Sequence, residues 1–193
     1  MRGIEMSFMR EWRPQPLGPA FAPLATLLAT VLLSGCGMGE FNLGRAKNVG
    51  EGAPFSIGSE QVVLTEAQVN CGVESGLWEE PAPQATRTVA RLTEQGRALK
   101  FADDVVIGEF PQPYTQVRGS FILQFDEISN IRDGQDPSEK LVDARAGVKI
   151  EHPCFATPLP FMAVKRGQFR QGAPVVFKYI NDGGWKLAEL MHQ

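Results

Sequence analysis

The stretch Leu141–Glu151 alternates more strictly than any other part of this chain, and that alternation constrains the fold most. Val142, Ala144, Ala146, Val148 and Ile150 fall on one parity; Asp143, Arg145, Lys149 and Glu151 fall on the other. Successive side chains of a strand point to opposite faces, so this is a strand with one dry face and one wet face. Gln116–Ile128 is the longest strand candidate. It carries Phe121, Leu123 and Phe125 on one face, with Ser120, Gln124 and Asp126 mixed into the other. Arg87–Leu92 and Val105–Phe110 are shorter extended pieces, the second stopped by Pro111 and Pro113. Glu94-Gln95-Gly96 reads as a tight turn before a returning strand, Ala98–Phe101. Near the end, Val175–Ile180 and Trp185–Met191 flank Asn181-Asp182-Gly183-Gly184. An Asp-Gly step favours the positive dihedral angles of a hairpin turn, so a terminal hairpin is predicted.

One helix is predicted ahead of these strands. Thr65-Glu66-Ala67-Gln68 has the form of a capping box, and Leu64 and Val69 occupy the positions of a hydrophobic staple. The helix runs from Glu66 to about Val73, with Gly72 and Gly76 limiting its length. The expected fold is mainly β, of α+β type. It is an antiparallel sandwich, barrel or curved sheet of about six to eight strands, with one short N-terminal helix.

The only long apolar run, Ala20–Leu33, carries no charge. It is shorter than the roughly 20 residues a bilayer span needs and matches a signal-peptide core. Arg2, Arg10 and Arg13 precede it, diluted by Glu5 and Glu11; Met1, Met6 and Met9 are alternative starts. Leu33-Ser34-Gly35-Cys36 closes the run. That ending resembles the lipobox of bacterial lipoproteins. The resemblance implies that residues 1–35 are a cleaved signal peptide and that Cys36 becomes the N-terminus. Cys36 would then carry a thioether-linked diacylglycerol and an acylated amine, which together anchor stably in a membrane. A cell-envelope address follows. Asp after the lipid-bearing cysteine retains such proteins in the inner membrane of many Gram-negative bacteria; here that residue is Gly37. In a Gram-negative host the resemblance therefore implies the outer membrane, facing the periplasm. Residues 36–58 hold glycine at 37, 39, 44, 50, 52 and 58 and read as a flexible tether, reaching about 25 Å. Residues 59–193 form a single β-rich globular domain.

With Cys36 lipidated, Cys71 and Cys154 remain. An even pair in an oxidising compartment points to a disulfide, whose loop-entropy contribution is at most about 4 to 5 kcal/mol. The alternative is two buried thiols acting as small apolar groups. Removing the leader's three basic and two acidic residues leaves 16 basic and 20 acidic side chains. No nucleic-acid partner is expected from that balance. The one local basic cluster, Lys165, Arg166 and Arg170, reads as a solvated turn.

No catalytic residue, cofactor or metal site is expected. The two histidines, His152 and His192, do not combine with the cysteines in a zinc-binding spacing. A His152–Cys154 dyad is interrupted by Pro153 and would lose its thiol to the disulfide. There is no Gly-x-Ser-x-Gly elbow and no phosphate-cradling loop. Asp103-Asp104 and Asp126-Glu127 are adjacent in sequence, which on a strand sends each pair to opposite faces. Phe177-Lys178-Tyr179-Ile180 and Gly184-Trp185-Lys186-Leu187 resemble the last hairpin of cystatin-like and nuclear-transport-factor-like curved-sheet domains. A cavity in such a sheet has Trp185 and Tyr179 as candidate lining residues. The sequence thus favours a non-catalytic protein, membrane-bound through Cys36, that contacts another envelope component, either a protein or the cell wall. The alternative is a small-ligand binder or modest enzyme with a cavity in a curved sheet.

Overall fold

The computed structural model describes residues 40–108, 111–165 and 168–192. Helix α1 (Leu43–Glu51) leads into strand β1 (Phe55–Val63), helix α2 (Glu66–Glu74), and strands β2 (Ala82–Gln84) and β3 (Arg87–Ala90). Helix α3 (Glu94–Ala98) follows, then strands β4 (Val105–Ile107), β5 (Tyr114–Asp133) and β6 (Glu139–Lys149) and a 3-10 turn (Pro153–Phe155). The chain ends with β7 (Leu159–Pro160), β8 (Met162–Lys165), β9 (Gln168–Gln171), β10 (Val175–Asn181) and β11 (Trp185–Met191).

The molecule is mainly β. Nine strands make one antiparallel sheet in the order β11-β10-β6-β5-β4-β3-β2, with β1 on β5 and β7 on β6; β8 and β9 form a separate ribbon. The sheet curls but does not close into a barrel. It turns back so far that His192, just past β11, bonds Glu60 of β1 at 2.8 Å. β5 is the spine. Its first half pairs with β1, from Tyr114↔Val63 to Phe121↔Phe55, and its second half pairs with β6, from Ile122↔Lys149 to Asp133↔Lys140.

The strict alternation of β6 does what its pattern requires: Val142, Ala144, Ala146 and Val148 are buried. The capping box closes α2 as expected, with the Gln68 N–H donating to Thr65 Oγ1 and the Thr65 N–H to Gln68 Oε1. Leu64 and Val69, on either side of that cap, are both buried. The terminal hairpin is present as β10 and β11.

Several expectations are corrected. The 36–58 tether is too long, because Leu43–Glu51 is helical and Phe55 starts β1. Glu94-Gln95-Gly96 is not a hairpin turn but the start of α3, whose N-cap Thr93 accepts from the Gly96 N–H. Ala98–Phe101 is accordingly no strand; Phe101 makes only an isolated bridge to Val117. Among the described residues there are three α-helices rather than one, and eleven strands, several of only two to four residues.

Two aromatic clusters organise the interior. Around α1, the Phe41 ring lies 5.0 Å from Tyr179 and 4.3 Å from Trp185, while Phe125 meets Phe177 edge-on at 4.9 Å. The Tyr179 hydroxyl donates to the Ala46 carbonyl at 3.0 Å. A register shift in β5 follows Phe125. There the Phe125 N–H donates to Glu51 Oε1 at 2.7 Å and Lys47 donates to the Phe125 carbonyl. Polar side chains of α1 thus satisfy backbone groups at an irregular point of the ladder. The second cluster joins Trp78 to Phe101 at 5.4 Å and to Phe155 at 5.9 Å. Cys71 on α2 and Cys154 on the 3-10 turn are joined there by a disulfide spanning 83 positions, with Cα atoms 5.6 Å apart. Among the described residues no helix is long and apolar enough to cross a membrane.

Candidate functional site

Three short strands and the start of β5 build the floor of a cleft. Val89 on β3 opposes Val106 on β4, and Val106 opposes Tyr114 on β5. Residues opposed in register share a face, so the three lie in one row across the sheet. All three are buried. Along β5, Tyr114, Gln116 and Arg118 are two apart and project from that same face. Gln116 is paired with Gln61 of β1, which adds a second amide. The far wall comes from α3 and the segments on either side of it, from Leu92 through Arg97 and Phe101 to Asp104. Gln84 and Arg87 stand at the outer end. The cleft holds about 710 Å³, within the usual range for ligand sites.

The wall is held in place by the protein's own hydrogen bonds. The Ala102 N–H donates to the Gln116 carbonyl at 2.9 Å. Thr115, a fully buried polar residue, donates its hydroxyl to the Asp103 carbonyl at 3.0 Å. The Asp104 carboxylate accepts from the Leu92 N–H at 2.6 Å, tying the approach to α3 to the approach to β4. A cleft wall braced in this way has little conformational freedom left to lose on occupation by a ligand.

The rim is charged. Arg87, Arg97, Arg118 and Asp103 are exposed. Among the described residues, neither Arg97 nor Arg118 is in an ion pair. The lining contains no Ser, Thr, Cys, His or Lys among the described residues. What it offers is guanidinium donors, amides that both donate and accept, and carboxylate acceptors over an apolar floor.

Of the residues singled out from the sequence, Asp103 and Asp104 both line the cleft, because they precede β4 and are not sent to opposite faces of a strand; the others lie elsewhere. Cys36 is outside the described residues. Cys71 and Cys154 are consumed by their mutual disulfide. His152 caps the 3-10 turn, its Nδ1 accepting from the Cys154 N–H at 3.2 Å, so it serves the backbone. Tyr179 and Trp185, the candidate cavity residues, pack around α1 and Phe41. Tyr179 is fully buried against α1, and Trp185 packs on Phe41. Burial, with the Glu51 charge adding to it, pushes the Tyr179 phenol well above its ordinary range. Of the basic cluster, Arg166 lies outside the described residues and Arg170 is exposed on β9. Sequence reading missed Arg87, Arg97 and Arg118, which are too far apart to form a run. The signal that was available is the i, i+2, i+4 row of Tyr114, Gln116 and Arg118, on a strand whose other parity carries Thr115, Val117 and Gly119.

No protein-family model, no curated protein and no solved structure matches this chain.

Proposed function

We propose that this is a non-catalytic, lipid-anchored protein of a bacterial cell envelope that binds another envelope component through the cleft on β3, β4 and β5. The observation that carries the binding half is the cleft itself, a braced, polar-rimmed concavity over an apolar floor, with two guanidinium groups that are in no ion pair among the described residues. The anchoring half rests on Leu33-Ser34-Gly35-Cys36. The Cys71–Cys154 disulfide supports an oxidising compartment. The short leash is also consistent with anchoring. Phe41 is already buried against Trp185, five residues after Cys36. Five extended residues span at most about 18 Å, so a lipid on Cys36 holds the folded body close to the bilayer surface.

Two measurements test the two halves separately. Mass spectrometry of the mature protein should find a diacylated or triacylated Cys36 at the N-terminus, and Cys36→Ser should move the protein out of the membrane fraction. An unmodified chain starting upstream of Cys36 would refute the anchor. A photo-crosslinking residue at Gln84, on the cleft rim, should trap one defined envelope component in intact cells. The same residue at Gln135, in the exposed turn between β5 and β6, should not trap it. Equal trapping from both positions rules out the cleft as the contact.

A further inference from the structure

We infer that the cleft takes an acidic saccharide, a hydroxylated chain carrying spaced carboxylates, with Arg97 and Arg118 each holding an acid group. The inference rests on the reading of the cleft as the binding site and names its ligand class. Arg97 closes α3 and Arg118 stands on β5, so the two guanidinium groups enter the cleft from different elements. A guanidinium is a pure donor whose planar fork matches a carboxylate with two parallel bonds. Neither group is in an ion pair among the described residues, so both are available to a ligand.

The lining between them asks for something other than charge. Gln61 and Gln116 sit side by side across the β1–β5 pairing, and Gln84 stands at the outer end. Each amide both donates and accepts, and Asp103 adds acceptors only. Sugar hydroxyls, which donate and accept, satisfy both kinds of partner. A chain charged on every unit, such as a nucleic acid, would bring some of its charges against Asp103 and Asp104, where like charges repel. An acidic peptide docking as an added strand is disfavoured on another ground. The outer edge of this part of the sheet is β2, which has three residues with Pro83 in the middle, and proline has no N–H to give. Isolated acids on a neutral hydroxylated chain fit both the guanidinium groups and the amides.

The test uses the protein expressed from its full sequence and purified in detergent, titrated calorimetrically with four probes. These are a hyaluronan oligosaccharide, which carries a carboxylate on every second sugar, the same oligosaccharide with its carboxyl groups reduced to alcohols, inorganic phosphate and an oligoglutamate peptide. The hyaluronan oligosaccharide should bind, and more weakly as salt rises, because the charges are exposed. Arg97→Gln and Arg118→Gln should each weaken it by about tenfold, the size of one charge-assisted hydrogen bond. Arg91→Gln, an exposed arginine outside the lining, should leave it unchanged. Four results would each overturn the ligand class: no heat with the hyaluronan oligosaccharide at millimolar concentration; equal affinity for its carboxyl-reduced form; equal affinity for phosphate or oligoglutamate; or no loss in either cleft variant. If the ligand class fails while Gln84 still traps its partner in cells, the cleft remains the contact and only the saccharide is wrong.

Discussion

The two aromatic clusters of this molecule are held by different means. Around α1 the strands are long, β5 and β6 running to 20 and 11 residues, and helix and sheet are joined by close packing and a buried hydroxyl bond. Around Trp78 the strands are short, β2, β3 and β4 having three or four residues, and α3 has only five. Short elements bury little surface and close few ladder bonds. That region adds a disulfide, and it leaves the Trp78 indole N–H buried with no partner among the described residues. It is also the region that carries the cleft. The contrast teaches that the proposed binding surface lies on the part of the sheet with the shortest strands, where side-chain bonds and a disulfide add to what strand pairing supplies.

The largest expected effect comes from removing the covalent brace. Replacing both Cys71 and Cys154 by Ser should cost about 3 to 4 kcal/mol in the denaturant midpoint, from the loop entropy restored to the unfolded chain. Hydrogen exchange should rise first in α2, α3, β3 and β4, and less in β6 and β10. Uniform loosening would break the contrast between the two regions.

Next come two glycines that meet aromatic rings. A Cβ on Gly72 would lie 1.8 Å from the Trp78 ring, and one on Gly50 would lie 2.4 Å from Phe125 and 2.8 Å from the Tyr179 hydroxyl. Alanine ordinarily favours a helix interior over glycine by about 1 kcal/mol. Here overpacking outweighs that gain, and each variant should lose about 2 to 3 kcal/mol. Gly72→Ala should be the worse of the two. The reverse ranking, read from thermal melts, would show the α1 side to be the more tightly packed.

A smaller effect separates the clusters by pH. Tyr179 is held neutral by burial, its folded pKa raised above the ordinary value of 10.0. Its contribution is therefore complete below about pH 10 and is lost as pH rises above that, because only the unfolded chain can release the proton. Stability should fall on the alkaline side. Tyr179→Phe should flatten that fall while costing about 1 kcal/mol at neutral pH for the lost bond to Ala46. An unchanged alkaline slope in the variant would assign the loss to another group. Smallest is the polar link from α1 to β5. Lys47→Met should cost about 0.5 to 1 kcal/mol, because the half-exposed ammonium bonds the Phe125 carbonyl and sits 3.2 Å from Glu51. A double-mutant cycle with Glu51→Gln measures the coupling.

What could be read without the structure was local. Thr65 and Gln68 specify a helix start within four residues, β6 declares its two faces by parity, and the final hairpin is announced by an Asp-Gly step. The helix α1 was not legible. Leu43–Glu51 has two glycines and few apolar side chains, and it reads as a tether until Ala46 and Gly50 are seen to be the small residues that let the helix approach Phe125 and Tyr179. Trp185 and Tyr179 were legible as important aromatics, but not as packing partners of a helix more than 130 positions away.

The chain by itself determined the class of fold, because burial periodicity and capping act between residues a few positions apart. It also left Cys71 and Cys154 as natural partners once Cys36 was set aside. The cleft was decided only in three dimensions. Arg87, Arg97 and Arg118 converge because β3 pairs with β4 and β4 with β5, and strand pairing is a long-range choice made by the whole core.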